Sequence, residues 1–359
     1  MHTPLEMKFT CRKVIGLCCL TAALSSCLVA AKASGKGKKE KKSDPETTVV
    51  PSQVVSVSPT VDLVYKRPRP LTFITHIPKD VVGVYKTSFR KENVPMIAMI
   101  LAETALMVPA DQGIIDGAKS VGRTFNIAPT SHQHTILAFN IRLKSKTINF
   151  PIGFPDDVNS SMYFLGDGIT HTSIALGFFG YGLLKKNYRA LQTGSQIAET
   201  MIASGIVVQI LKHLSGRESP FASSEPGGKW RVFPNQKEYA NNVPHYDAYP
   251  SGHIATAVGT VTVIAGNYPE YKLIKPIGYS LCGLLAFAMM NNGVHWASDY
   301  PLGIALGYTF AKVAVAHGRT EIKKDSFSHH TSAHSLFGKP FIAPTVIGDA
   351  PACSFRWCF

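Results

Sequence analysis

No group of cysteines and histidines in this 359-residue chain has the spacing of a zinc site, and the reading expects neither a metal nor a cofactor. Cysteine is scarce where a fold would use it. Cys11, Cys18, Cys19 and Cys27 fall near the start, which leaves Cys282 in an apolar run and Cys353 and Cys358 at the end. That last pair could close a small disulfide in an oxidising compartment. His329, His330 and His334 lie in a Ser/Thr-rich stretch and read as solvated. Long apolar runs are also missing from the body of the chain, where most candidates fall short of the roughly 20 residues that cross a bilayer. A mean hydropathy of +0.07 is low for a chain made mostly of membrane spans. Acidic residues are few: 23 Asp and Glu against 37 Lys and Arg leave a net charge of +14, which suits anionic surfaces rather than a cationic partner.

What is present begins with an export signal. Lys8, Arg12 and Lys13 flank the apolar core Val14–Leu24, and Ala31-Lys32-Ala33 offers a cleavage site. Leu24-Ser25-Ser26-Cys27 is similar to a lipoprotein signal, and a retained anchor is the remaining alternative. All three place the protein in the cell envelope, either periplasmic or membrane-associated. The expected organisation is a signal over 1–33, a basic Pro/Ser/Val-rich linker over 34–70, a catalytic domain over 71–320 and an irregular tail over 321–359. The linker carries the lysine-rich run Lys36–Lys42, which is either simply solvated or held against anionic head groups.

Six apolar segments read as core helices: Val94–Val108, Thr172–Leu184, Gly194–Leu211, Ile254–Gly266, Ile277–Met290 and Leu302–Ala316. The expected fold class is therefore all-α, a bundle of about six core helices. Gly166-Asp167-Gly168 reads as a turn or as part of a site wall. The loop 221–249 is long for a compact domain and reads as a lid or a substrate-selecting loop. The final residues, Cys353–Phe359, could form an edge strand.

Three short stretches carry the chemistry. They are Lys212-His213-Leu214-Ser215-Gly216-Arg217-Glu218-Ser219-Pro220, Tyr249-Pro250-Ser251-Gly252-His253 and Gly293-Val294-His295-Trp296-Ala297-Ser298-Asp299. The N–H groups of Ser251, Gly252 and His253 open a helix and can point at an anion. Gly252 lets that anion approach the backbone closely. Lys212 closes the preceding helical run, and Arg217 offers a planar fork that matches two phosphate oxygens. His295 with Asp299 fits the pattern in which a carboxylate holds one imidazole nitrogen and frees the other for attack. His253 as an imidazolium could protonate a leaving alcohol. Taken singly, each has a commonplace reading as a capping cation, a surface histidine or a helix cap. Only the joint arrangement makes a phosphate site.

With these residues in order, the chain resembles the type 2 phosphatidic acid phosphatase and vanadium haloperoxidase superfamily, over roughly residues 90–318. That family's pattern is Lys, six residues, Arg-Pro; then Pro-Ser-Gly-His; then Ser-Arg, five residues, His, three residues, Asp. The resemblance implies that Lys212, Ser251 and Gly252 bind phosphate, that His295 is the nucleophile oriented by Asp299, and that His253 is the acid. It also implies a phosphorylated lipid or other phosphate ester as substrate, while the family holds both membrane-spanning and soluble enzymes; the expectation for this chain is an exported, membrane-associated bundle with no nucleic-acid partner. Two family arginines are replaced, by Ser219 and Met289, and no lysine or arginine lies between Lys275 and Lys312. One lost charge-stabilising donor costs on the order of 3–4 kcal/mol in the transition state. The expected compensation is phosphate binding by Arg217, with Arg231 as its helper. The expected function is a metal-independent phosphatase working through phosphohistidine. The alternatives are a diverged lipid-phosphate-binding envelope protein and, behind it, a vanadate-dependent haloperoxidase.

Overall fold

The computed structural model describes residues 51–143, 146–324, 340–347 and 350–357. The export signal, Cys27, Lys36–Lys42, the three tail histidines and Cys358 lie outside the described residues.

All six expected helices are present, and most run further than their apolar cores. In chain order the helices are α1 (Thr72–Thr75), α2 (Ile77–Ser88), α3 (Val94–Met107), α4 (Asp111–Thr124), α5 (Val158–Phe164), α6 (Gly168–Leu184), α7 (Tyr188–Ser215), α8 (Gln236–Asn241), α9 (Gly252–Asn267), α10 (Ile274–Asn291) and α11 (Tyr300–Gly318). Polar caps set many of the true starts. The side chains of Asp157, Asp167, Asn187 and Ser251 accept N–H bonds at the starts of α5, α6, α7 and α9. Gly216, at φ 55°, ends α7 in the left-handed region and returns its N–H to Lys212 O at 3.0 Å.

The bundle is organised around α7, whose 28 residues pack against α6, α9 and α11. Helices α9 and α11 approach closely because glycine allows it. A Cβ at Gly303 would lie 2.6 Å from Ser251 O, and one at Gly307 would lie 2.1 Å from Ala255 O. Ile254, Val258, Leu285, Met289 and Tyr300 form the core nearest the site, while Ile197, Val263, Ala311 and Val315 form another layer. Each buried Ile, Val, Leu or Met side chain among them contributes about 1.5–3 kcal/mol.

The segment expected as linker is structured in its second half. Strands β1 (Ser52–Ser58) and β2 (Val61–Lys66) pair antiparallel, and β5 (Arg319–Lys323) adds to β2. Alternation anchors them, since Leu63 and Tyr65 are buried and Tyr65 donates to Asn267 O at 3.0 Å. Two further hairpins pair β3 (Gln133–Leu143) with β4 (Lys146–Pro155), and β6 (Pro340–Ile347) with β7 (Ala350–Trp357). The tail is thus partly strand rather than irregular throughout, and β7 includes most of the segment expected as an edge strand.

Two stretches, 94–124 and 188–215, are long and apolar enough to cross a membrane by length and composition. The first includes a short 3-10 turn between α3 and α4. The helix expected over Gly194–Leu211 is longer than its apolar core suggested. Leu106, Leu176, Leu184 and Ile277 are all exposed on helix faces.

Candidate active site

Three structural junctions bring the expected residues together. The end of α7 carries Lys212, the start of α9 carries Ser251, Gly252 and His253, and the loop between α10 and α11 carries His295 and Asp299. The peptide of Ser251 donates to Asp299 O at 3.0 Å, so the second and third stretches are joined through the backbone. The His253 and His295 rings stand 5.9 Å apart, edge to face.

His295 is buried, and its Nδ1 lies 3.3 Å from Asp299 Oδ2, which leaves Nε2 for substrate. Asp299 is held on all sides. Its Oδ2 accepts from Trp296 N at 2.8 Å, and its Oδ1 accepts from Arg217 Nη1 at 2.6 Å. Arg217 is fully buried and also donates to Asp111 Oδ2 at 2.6 Å and Gly227 O at 2.7 Å, with Trp230 and Trp296 packed on its guanidinium. Asp111, at the start of α4, is pinned in turn by Ser298 N at 3.0 Å and by Ser298 Oγ. The expectation that Arg217 grips phosphate is therefore not what the geometry gives. Its donors face two buried carboxylates, behind the His295 ring.

The expected helper is also occupied. Arg231 donates to Glu218 Oε1 at 2.7 Å and to His245 O at 3.2 Å. Glu218 is the anchor of the long loop, since it also accepts from Ser224 N at 2.9 Å and Lys229 N at 3.1 Å. The positions of the missing arginines are closed: Ser219 is buried and bonds Pro244 O through its N–H, and Met289 is buried in the apolar cluster with Ile254 and Leu285. Lys212 is the buried cation left beside the histidines. Its Nζ is 3.1 Å from Asp247 Oδ2.

Ser251 caps α9 by accepting from Ile254 N, and the first intrahelical donor is Ala255 N, so the N–H groups of Gly252 and His253 have no intrahelical acceptor. His253 lies beside Tyr163, whose hydroxyl is 3.3 Å from Nε2. Burial first, then the nearby His295 and Lys212, hold its pKa below the ordinary imidazole range. Gly166 lets the chain pass over His253 and Leu285, where a Cβ would lie 3.0 Å from His253 Cβ, so this turn is also a wall of the site.

Sequence reasoning missed four residues of this assembly: Asp111, Tyr163, His171 and Asp247. His171 in α6 is buried, and burial lowers its pKa to about 4. A charged residue at the head of an otherwise uncharged first turn was the available signal for Asp111. Tyr163, His171 and Asp247 carry no such signal.

One end of the helical bundle thus gathers an oriented imidazole, a second imidazole, a lysine and an open helix N-terminus. Residues 194–323 match the family model described as PAP2 superfamily. A transmembrane PAP2-type phosphatidylglycerolphosphate phosphatase from Bacillus subtilis is a structural neighbour at 16% identity and TM-score 0.36, covering 62% of this chain and 94% of its own. Comparison with the curated proteins gives no match.

Proposed function

We propose that the protein is a metal-independent phosphatase that hydrolyses a phosphomonoester or diphosphate, carried on a lipid, through a phosphohistidine at His295. The observation that carries this reading is the His295 ring held by Asp299 through Nδ1, 5.9 Å from a second histidine at a helix N-terminus. His295 Nε2 attacks phosphorus, and the leaving oxygen takes a proton from His253. Because His253 rests neutral, that proton enters with the substrate as a phosphate monoanion. Ser251, Gly252 and Lys212 stabilise the charge on the equatorial oxygens. Water, deprotonated by neutral His253, then attacks phosphorus and frees His295.

The test is phosphate release from lipid and soluble esters by the purified protein. His295→Ala is expected to abolish release, vanadate to inhibit it, and chelator treatment below the melting temperature to leave it intact. Release that survives His295→Ala ends the proposal.

A second reading has an observation of its own. With Arg217 and Arg231 both committed and Met289 in an apolar cluster, the site is poor in cations. That favours a protein that binds a lipid phosphate without turning it over, and saturable binding with no hydrolysis identifies it. The same shortage weighs more heavily against a haloperoxidase, which needs a cationic cage around vanadate.

A further inference from the structure

At the other end of the bundle from His295 is a second cluster of ligating side chains that the phosphatase reading does not use. Glu199 lies 13 positions before Lys212 on α7, about 20 Å along the helix axis. It faces His76, at the start of α2, and His317, in the last turn of α11. One ligand atom from each of the three lies within 4.8 Å of the others. His76 Nδ1 is 3.5 Å and His317 Nδ1 is 3.9 Å from Glu199 Oε1. Asp80, one turn into α2, brings Oδ1 to 3.0 Å from His317 Nδ1.

Burial makes the cluster more than a chance meeting. Asp80 is 1% and Glu199 2% exposed, and neither is paired with a lysine or arginine among the described residues. Both oxygens of Asp80, Oε1 of Glu199 and Nδ1 of His76 are buried without a hydrogen bond. Two carboxylates withdrawn from water and facing each other's charge are costly unless a cation neutralises them.

We propose that His76, Asp80, Glu199 and His317 bind one divalent transition-metal ion, zinc by preference. Two imidazole nitrogens and two carboxylate oxygens form a borderline-soft donor set suited to zinc. Ligands at about 2.0–2.1 Å from a tetrahedral zinc stand about 3.4 Å apart. The 3.0, 3.5 and 3.9 Å separations of His317–Asp80, His76–Glu199 and His317–Glu199 bracket that edge; three of the ligands already meet within 4.8 Å, and a shift of the Asp80 side chain completes the shell. Four protein ligands leave no open position, which makes this a structural site. The ion fastens α2 to α7 and α11, and with it the start of the described fold to the catalytic bundle.

The experiment uses the full chain in detergent, stripped by chelator and titrated with zinc chloride, with bound metal measured by elemental analysis and calorimetry. One equivalent per chain is expected, with a saturable rise in Tm and retained phosphate release. His317→Ala and Glu199→Gln should weaken binding at least about tenfold, while His295→Ala should leave it unchanged. Should either of these fail to fold, His76→Gln, at a partly exposed position, serves in its place. Zinc that neither binds in stoichiometric amount nor moves Tm overturns the proposal. Binding that is indifferent to these variants, or lost in His295→Ala instead, overturns it equally.

Discussion

At the scale of single residues, the decisive one is Arg217. Its spacing from Lys212 suggested a phosphate ligand, because a sequence records that a guanidinium is near a site but not which way it turns. Folding turns it inward, between Asp111 and Asp299, where a cation separates two buried negative charges. Removing one member of a buried ionic group strands the others, at a cost of roughly 3–5 kcal/mol. Arg217→Met is expected to lower stability by about that amount. Equilibrium denaturation checks it, and a loss below about 1 kcal/mol would argue that the network contributes little. Lys212, His253, His295 and Asp299 were legible because their motifs fix order and spacing. Asp111 and Asp247 were not, since each reaches the site only through tertiary contact.

Glu218 gives a pH prediction at the same scale. Burial alone would raise its pKa, but hydrogen bonds from Ser224, Arg231 and Lys229 together bring it down to about 2. A folded pKa below the unfolded value of 4.5 stabilises the native state above that value, and the contribution is lost as pH falls towards 2. Limited proteolysis between pH 6 and pH 2 should show the loop 221–249 becoming susceptible as the contribution of the ionised acid is lost. Glu218→Gln should show that susceptibility already at pH 6.

At the scale of elements, the helices followed from apolar runs, yet their ends did not, because caps and a left-handed glycine set them. The β1–β2 hairpin was passed over because its Val-x-Val alternation fell within a segment read for helical period alone. Helix α2 was passed over because its lysines and aspartate interrupt the apolar pattern. Contact between α9 and α11 depends on two glycines one turn apart. Gly307→Ala would drive a methyl group into Ala255 O, and overpacking of this kind costs about 1–3 kcal/mol. A correspondingly lower Tm is expected, together with reduced turnover, because the same interface sets the position of Ser251. An unchanged Tm would show that the helices can part without penalty.

At the scale of the whole molecule, convergence of three distant stretches on one end of the bundle was the part of the site that motif order made legible. The exterior was less so. The chain's mean hydropathy is near neutral because basic and polar segments offset helices whose outer faces carry Leu106, Leu176, Leu184 and Ile277. Such a surface is expected to send the purified protein into the detergent-rich phase on cloud-point separation. Recovery in the aqueous phase would count against membrane association.

The anchoring of the long loop bears on how substrates are told apart. A strap fastened at Ser224, Lys229 and Arg231 to one buried acid cannot swing wide without breaking charge-assisted bonds together. Discrimination would then reside in the fixed contour of the entrance, and a poor substrate would be refused at first encounter rather than admitted and trapped by closure.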